Sequence, residues 1–194
     1  MADKGIIFSA PMVRALLAGT KTQTRRLATF IKPHGDFWHL KGAGGGMVGC
    51  DDVEVGLHGE DYAPYAPGDR LYVRESALFW RNSSDNKLCN VAAFRADGYE
   101  LEPGERWTPS IHMPRWASRL WLTVSEVRVQ RLQNISEADC LAEGIDWRPS
   151  RGRTPSDIYA ELWNSLHTEP GTTWDDNPWI VAVSFTVNRG NIDA

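Results

Sequence analysis

The spacing of hydrophobic residues alternates along the chain between the two-residue period of strands and the three-to-four-residue period of helices. Helical spacing of Met12, Val13, Leu16 and Leu17 predicts a first helix over residues 9–19. Period-two alternation elsewhere predicts strands over residues 21–26, 70–75, 119–132 and 180–187, and a hairpin over residues 79–94.

Capping residues mark the ends of three short predicted helices. Ser9 precedes the first helix and Gly19 follows it, a pattern typical of helix termini. A second helix is predicted between Ser136 as the cap and Gly144 as the stop. A third helix begins at Thr154-Pro155. Its predicted buried face carries Ile158, Leu162 and Leu166.

The strand over residues 119–132 has the clearest alternation. Its apolar positions are even-numbered up to Val124 and odd-numbered from Val127, so we expect a β-bulge near Ser125-Glu126. Bulges are common where a barrel bends. Strands separated by short helices, with no repeated βαβ period, favour an α+β fold in which short helices pack around a small mixed β-barrel.

The hydrophobic residues of the segment 31–68 follow neither the strand period nor the helix period, and this segment contains a glycine-rich run from Gly42 to Gly46. We therefore expect a long loop or insertion, at about residues 31–65, in an otherwise single domain over residues 1–194. The glycine run lacks the following Lys-Ser/Thr of a phosphate-binding loop, so a flexible loop is the better interpretation.

Composition narrows the classes of partner. The net charge is −4, which excludes nucleic-acid binding by bulk charge and requires a local basic patch for any such binding. No stretch approaches the ~20 apolar residues that span a bilayer, and no signal-peptide core is seen, so we expect no membrane partner. Three widely spaced cysteines predict a reducing, cytoplasmic location. No His or Cys spacing predicts a metal site, and no cofactor is expected.

The segment from Gly19 to Arg26 concentrates chemistry directly after a predicted helix end. It contains three cations and three hydroxyl groups. A solvated edge strand is one interpretation of such a composition. Because Arg25 and Arg26 add like charge beside Lys21, an anionic ligand or a catalytic role is the alternative.

The pattern Gly19-x-Lys21-x-x-x-x-Arg26 resembles the GxKxxExR signature of ASCH domains, which share a PUA-like β-barrel. The Pro67-Gly68-Asp69 turn and the last predicted strand fit the same plan. The stretch from Ser110 to Arg119 is similar to that of longer ASCH proteins of phages and bacteria. The resemblance implies a PUA-like barrel for most of the chain.

Thr24 stands where the common signature has glutamate, as in ASCH amidohydrolases that remove acyl groups from N4-acetylcytidine. The resemblance implies Lys21, Thr24 and Glu143 as catalytic residues, with Arg25 and Arg26 binding the substrate. It also implies hydrolysis of an N4-acylated cytosine nucleoside, a small-molecule substrate. The alternatives are a non-catalytic module that binds RNA or a modified base, and a metal-independent ribonuclease.

Amide hydrolysis needs a nucleophile, a base and an acid for the leaving amine. Thr24 offers a hydroxyl group, and neighbouring cations with partial burial favour a neutral Lys21. Glu143 precedes Gly144 at a predicted helix C-terminus, where the helix dipole favours a protonated carboxyl group. Lys21 and Thr24 have opposite strand parity, so we expect Lys21 to lie in a turn or beside a bulge.

A second candidate segment carries His112, Arg115 and Trp116 between prolines. These side chains can stack on a base and donate hydrogen bonds to it, so we assign them to substrate binding. A structured loop that closes the barrel is the alternative interpretation.

Overall fold

The computed structural model of the chain describes residues 3–42, 45–148 and 152–194. Within these ranges the strands are β1 (Asp3–Ile7), β2 (Gln23–Leu27), β3 (Ile31–His34), β4 (Phe37–Lys41), β5 (Met47–Cys50), β6 (Arg70–Arg74), β7 (Ala77–Arg81), β8 (Leu88–Phe94), β9 (Leu120–Arg131) and β10 (Trp179–Arg189). The α-helices are α1 (Ala10–Leu17), α2 (Asp52–His58), α3 (Glu137–Ala142) and α4 (Pro155–Leu166). Single turns of 3₁₀ helix occupy Gly59–Tyr62, Arg95–Asp97, Ser110–His112, Arg115–Ala117 and Leu132–Asn134.

The strands form three sheets. The largest has five strands in the order β1-β6-β9-β10-β2. It is mixed, because β1 runs parallel to β6 whereas β6 is antiparallel to β9 and β10 is antiparallel to β2. A second sheet has the order β3-β4-β5, and β7 pairs with β8 in a two-stranded hairpin. Mixed sheets accompanied by several short helices confirm the predicted α+β class.

The chain divides into two compact units. The first contains residues 1–20, 68–123 and 186–194, and the second contains residues 21–67 and 124–185. In the first unit, the hairpin packs a small core of Ala77, Phe79, Met113 and Ala117. In the second unit, the core consists of Leu132, Ile135, Cys140, Tyr159, Trp163, Ile180 and Ala182.

Several local predictions are confirmed. The first and second helices form, and Gly19 has φ +72°, in the left-handed region that glycine favours. In β9, Ser125 and Glu126 are both exposed, so the buried positions shift parity there as the sequence predicts. Ser9 occupies the N-cap position of α1, but its side chain makes no capping hydrogen bond.

The apolar face predicted for α4 is only partly buried, because Ile158 and Leu162 are half-buried and Leu166 is exposed. Leu166 is 66% exposed, whereas Pro155, Tyr159 and Trp163 are buried at i, i+4, i+8 spacing. The large aromatic side chains bury more apolar area than the aliphatic ones, and the helix turns these residues towards the core of the second unit.

Residues 31–65, for which a long loop or insertion is expected, do not form a long loop. This segment folds into the β3-β4-β5 sheet followed by α2. A capping box fixes the start of α2: the Asp51 carboxylate accepts from the Glu54 N–H, and the Glu54 carboxylate accepts from the Asp51 N–H. Ala43 and Gly44 of the glycine-rich run lie outside the described residues.

Candidate functional site

The candidate site lies in the second unit, where the segment before β2 meets the C-terminal end of α3. Lys21 forms an isolated antiparallel bridge with Glu143. The Thr22 N–H donates to the Ala142 carbonyl oxygen at 2.8 Å, and the Thr22 carbonyl oxygen accepts from the Phe185 N–H at 2.9 Å. Backbone hydrogen bonds on both sides therefore fix the chain where the functional side chains emerge.

Lys21 and Glu143 form a buried ion pair at this bridge. The Lys21 Nζ donates to the Glu143 Oε2 at 2.7 Å and to the Glu143 carbonyl oxygen at 2.8 Å. Lys21 is 2% exposed and Glu143 is 4% exposed. Charged residues this deeply buried are almost always paired, and pairs of this kind are common in functional sites.

A second cation reaches the same carboxylate. The Arg25 Nη1 donates to the Glu143 Oε1 at 3.2 Å, and its Nη2 donates to the Asp139 Oδ2 at 3.0 Å. Gln23 joins the network: its Oε1 accepts from the Arg25 Nη1, and its Nε2 donates to the Asp139 Oδ1 at 3.2 Å. Both carboxylates therefore act as acceptors from cations or amides in this arrangement.

Two periodicities bring these five side chains together. Lys21, Gln23 and Arg25 are separated by two residues, so strand alternation places them on one face. Asp139 and Glu143 are four residues apart at α3, so the helix presents both towards that face. The network therefore forms where one face of β2, and of the residue pair before it, contacts one side of α3.

The network extends to β9 and β10. The Arg128 Nη2 donates to the Asp139 Oδ1 at 3.1 Å, and the Ser184 Oγ accepts from Gln23 at 3.1 Å and donates to the Glu126 Oε2 at 3.2 Å. Among the described residues, the buried Nε of Arg25 has no hydrogen-bond partner, whereas the Nε of Arg128 lies 3.5 Å from the Glu126 Oε2. The site thus retains donor capacity beyond what its own carboxylates use.

Burial controls the protonation of the lysine. Desolvation lowers the pKa of Lys21 below its usual value, the Glu143 carboxylate opposes this shift, and the charges of Arg26 and Arg25 reinforce it. This direction agrees with the sequence argument, although desolvation rather than the neighbouring arginines is the main cause. Burial also raises the pKa of Asp139, but hydrogen bonding from Arg128 and the nearby positive charges outweigh it and lower that pKa overall.

Thr24 is buried, at 1% exposure, and pairs in register with Val183 of β10. Lys21 lies before β2 begins, in the bridge, as the sequence argument required. Strand alternation still directs Thr24 away from the face shared by Lys21 and Arg25. Arg26 is half-buried, and its Nη1 donates to the Arg25 carbonyl oxygen at 3.5 Å.

The three candidates from the proline-bounded segment lie in the first unit. His112 is exposed at the end of a 3₁₀ turn. Arg115 forms ion pairs with Asp3, at 2.6 Å, and with Asp193. Trp116 is 47% exposed and packs edge-to-face against Phe79. Arg115 is thus held by two carboxylates, and the role of all three residues in substrate binding stays a prediction.

Asp139, Gln23 and Arg128 are parts of the site that the sequence argument missed. Asp139 lies in the first turn of α3, where its N–H donates to the Ser136 Oγ. Its i, i+4 relation to Glu143 was the available signal. Gln23 carried a similar signal, because it lies between Lys21 and Arg25 on one strand face.

No group of three or more His, Cys, Asp or Glu side chains in the described ranges is arranged to hold a metal ion. In the same part of the chain, no helix combines the length and apolar character needed to cross a membrane.

Comparison with known proteins adds little to this picture. No protein-family model and no curated protein matches the chain. Among solved structures, the chain is similar to an ASCH domain from Lactobacillus crispatus, with 11% sequence identity and a TM-score of 0.37. That match covers 96% of this chain and 79% of the other. Both measures of likeness are low.

Proposed function

We propose that this protein is an amidohydrolase that removes the acyl group from N4-acylated cytosine nucleosides, without a metal or cofactor. The observation that carries the proposal is the buried 2.7 Å contact between the Lys21 Nζ and the Glu143 Oε2. In this proposal Lys21 is the base and Glu143 is the acid, two of the three residues that the ASCH resemblance implies as catalytic. Thr24, the implied nucleophile, lies three residues after the lysine.

The contact between Lys21 and Glu143 provides a base and an acid together. Transfer of one proton from Nζ to Oε2 leaves a neutral amine and a neutral carboxyl group. Desolvation lowers the pKa of Lys21, which favours release of the Nζ proton at this contact. Exclusion of water also strengthens every electrostatic interaction with the reacting atoms.

The reaction then follows in two halves. Strand alternation places the Thr24 hydroxyl on the opposite face of β2 from Arg25, so the proposed reaction requires that this hydroxyl turn towards the Lys21 amine when the substrate binds. The amine then accepts the hydroxyl proton while the Thr24 Oγ attacks the acyl carbon. The C–N bond breaks, and the departing N4 takes a proton from the Glu143 carboxyl group, which releases the cytosine nucleoside. Water hydrolyses the acyl-threonine ester and releases the carboxylic acid. Arg25 holds the Glu143 carboxylate from its other oxygen and fixes its orientation.

The decisive experiment is incubation of the protein with N4-acetylcytidine, with cytidine release followed by chromatography. We expect Lys21→Arg to lose about 10²-fold or more of the turnover, because arginine stays charged and cannot act as a base. Glu143→Gln keeps the size of the side chain but cannot supply a proton, so its turnover falls as well. Lys87→Gln, at an exposed lysine of the β7–β8 turn, is the matched control and should retain full activity.

Two Thr24 variants test the nucleophile. Thr24→Val removes the hydroxyl at nearly constant volume and should abolish turnover, whereas Thr24→Ser retains the hydroxyl and should remain active. Equal turnover in Thr24→Val and the parent would show that Lys21 activates water directly. Binding of N4-acetylcytidine without cytidine release would favour the modified-base module, and cleavage of RNA in the presence of a chelator would favour the ribonuclease.

A further inference from the structure

An open cavity of about 560 Å³ lies in the first unit, at the start of α1. Its wall is assembled from parts of the chain that are distant in sequence: residues 7–11 with Arg14, then Ser76, Arg95 and Ser110. The volume lies within the range of small-molecule sites. The Lys21–Glu143 network belongs to the second unit, so this cavity is not part of the proposed catalytic site.

Two arginines of this wall are anchored to the same part of the unit. The Arg14 Nη1 donates to the Ala96 carbonyl oxygen at 3.4 Å, which connects the exposed side of α1 to the 3₁₀ turn that begins at Arg95. The Arg95 N–H donates to the Ser76 carbonyl oxygen at 3.0 Å. These contacts with backbone carbonyl groups bring both arginines to one cavity before any ligand binds, which reduces the ordering that binding requires.

The charge of the wall is not balanced by acidic residues. Of the described residues that line the cavity, the charged ones are Arg14 and Arg95, and in the described part of the chain neither forms an ion pair. The acidic residues nearest to them in sequence, Glu75 and Asp97, both accept hydrogen bonds from Arg119, at 2.8 to 3.1 Å. With these three included, the net charge is still positive. Two like charges at one cavity are unfavourable unless an anion binds between them.

Three serine hydroxyl groups add hydrogen-bond donors to the same wall. Ser9 occupies the N-cap position of α1 without a capping hydrogen bond, and Ser76 and Ser110 are half-buried. Within the ranges that the structure describes, none of the three hydroxyl groups has a hydrogen-bond partner. The positive end of the α1 dipole lies at this wall and adds to the attraction for an anion.

The number of donors distinguishes the kinds of anion. Two guanidinium groups and three hydroxyl groups offer more donors than the two oxygens of a carboxylate need, whereas a phosphate monoester presents three strong acceptor oxygens. Guanidinium and hydroxyl groups are also the side-chain groups that commonly bind phosphate oxygens. The rest of the wall is largely apolar, with Ile7, Phe8 and Pro11, so a carbon skeleton can lie beside the anion.

We propose that this cavity binds the phosphate group of a small molecule. Arg14 and Arg95 pair with the phosphate, and the serine hydroxyl groups donate to its remaining oxygens. A phosphorylated sugar fits this chemistry together with the apolar part of the wall, and inorganic phosphate fits the anionic part alone. The inference does not depend on amide hydrolysis, because its probes contain no amide bond.

The test is calorimetric titration in buffer free of phosphate and sulfate, with ribose 5-phosphate, ribose, inorganic phosphate and a single-stranded oligonucleotide. We expect saturable binding of ribose 5-phosphate with a Kd below about 1 mM, and none of ribose. Equal affinity for inorganic phosphate would identify the anion as the whole ligand, and tighter binding of the ester would identify a phosphorylated metabolite. Both results support the site. Binding of the oligonucleotide with no binding of either small phosphate would overturn the proposal in favour of a nucleic-acid surface.

Variants locate the binding. Arg14→Gln and Arg95→Gln each remove one charge at an exposed position, so the chain should fold normally and bind ribose 5-phosphate about tenfold more weakly. Arg106→Gln, at an exposed arginine of the same unit outside this wall, is the matched control and should leave the Kd unchanged. Equal thermal unfolding midpoints confirm that the variants fold. Absence of saturable binding to about 5 mM, or a parental Kd in both cavity variants, would show that this cavity does not bind phosphate.

Discussion

Replacement of Lys21 by methionine removes one charge from a buried pair and leaves the other. The Glu143 Oε2 and the Glu143 carbonyl oxygen each lose a donor, and the 3.2 Å bond from Arg25 still reaches the carboxylate. Loss of one partner of a buried ion pair costs about 3–5 kcal/mol. Because Arg25 still compensates Glu143 in part, we expect a loss near the low end of that range, about 3 kcal/mol of unfolding free energy.

Urea unfolding followed by far-ultraviolet circular dichroism measures this loss. With a denaturant slope of about 2 kcal/mol/M, the midpoint should fall by about 1.5 M. Lys87→Met is the control, because the 3.3 Å pair of Lys87 with Asp85 is exposed and its loss should stay within about 0.5 kcal/mol.

The double variant Lys21→Met, Glu143→Gln shows whether an isolated buried charge causes the damage. Glutamine carries no charge that could be left buried without a partner. The double variant should therefore lose at least about 1 kcal/mol less unfolding free energy than the two single variants lose together. Strictly additive losses, or a Lys21→Met variant within about 1 kcal/mol of the parent, would refute the electrostatic account of this pair.

Three further predictions concern stability. Folding lowers the pKa of Lys21, so between the folded-state pKa and 10.5 the unfolded chain binds more protons than the folded chain. In that pH range the unfolding free energy of the parent should therefore rise with pH relative to that of Lys21→Met. A difference between the two proteins that does not change with pH would contradict this. Thr154→Ala should lower the unfolding free energy by about 1 kcal/mol, because the Thr154 side chain makes a capping hydrogen bond at α4. Ser9→Ala should lower it much less, because the Ser9 side chain makes no such bond at α1. Thermal unfolding of the two variants tests this difference. Gly59→Ala should cost about 1–3 kcal/mol, since its Cβ would lie 2.8 Å from a valine of β9, whereas Gly56→Ala in α2 meets open space and should stabilise by about 0.5–1 kcal/mol.

The parts of the fold predicted correctly are those that depend on local pattern. The parity shift in β9 and the caps of α3 and α4 involve residues a few positions apart, so the sequence carries them directly. The β3-β4-β5 sheet has no such local pattern. In β5, for example, three of the four residues are exposed and only Cys50 is buried, so buried and exposed positions do not alternate. A strand without a buried face looks like a loop in sequence.

The candidate site divides in the same way. Lys21, Thr24 and Glu143 came from the family resemblance, and their catalytic roles stay predictions. The contact of Arg25 with Asp139 crosses 114 residues, and no periodicity specifies which strand face meets which helix side. The charges alone did not distinguish a substrate-binding arginine from one held by two internal carboxylates, because that difference lies in tertiary packing.

The pairing of β2 with β10 has a consequence for biosynthesis. Gln23 and its partner Ser184 are separated by 161 residues, so β2 leaves the ribosome long before its neighbour in the sheet has been translated. During that interval its backbone donors and acceptors are open to other chains. Arg25 and Arg26 in β2, with Lys21 just before it, make this segment of the nascent chain cationic, and mutual repulsion between such segments opposes aggregation. Charges that end up buried around Glu143 therefore also protect the nascent chain.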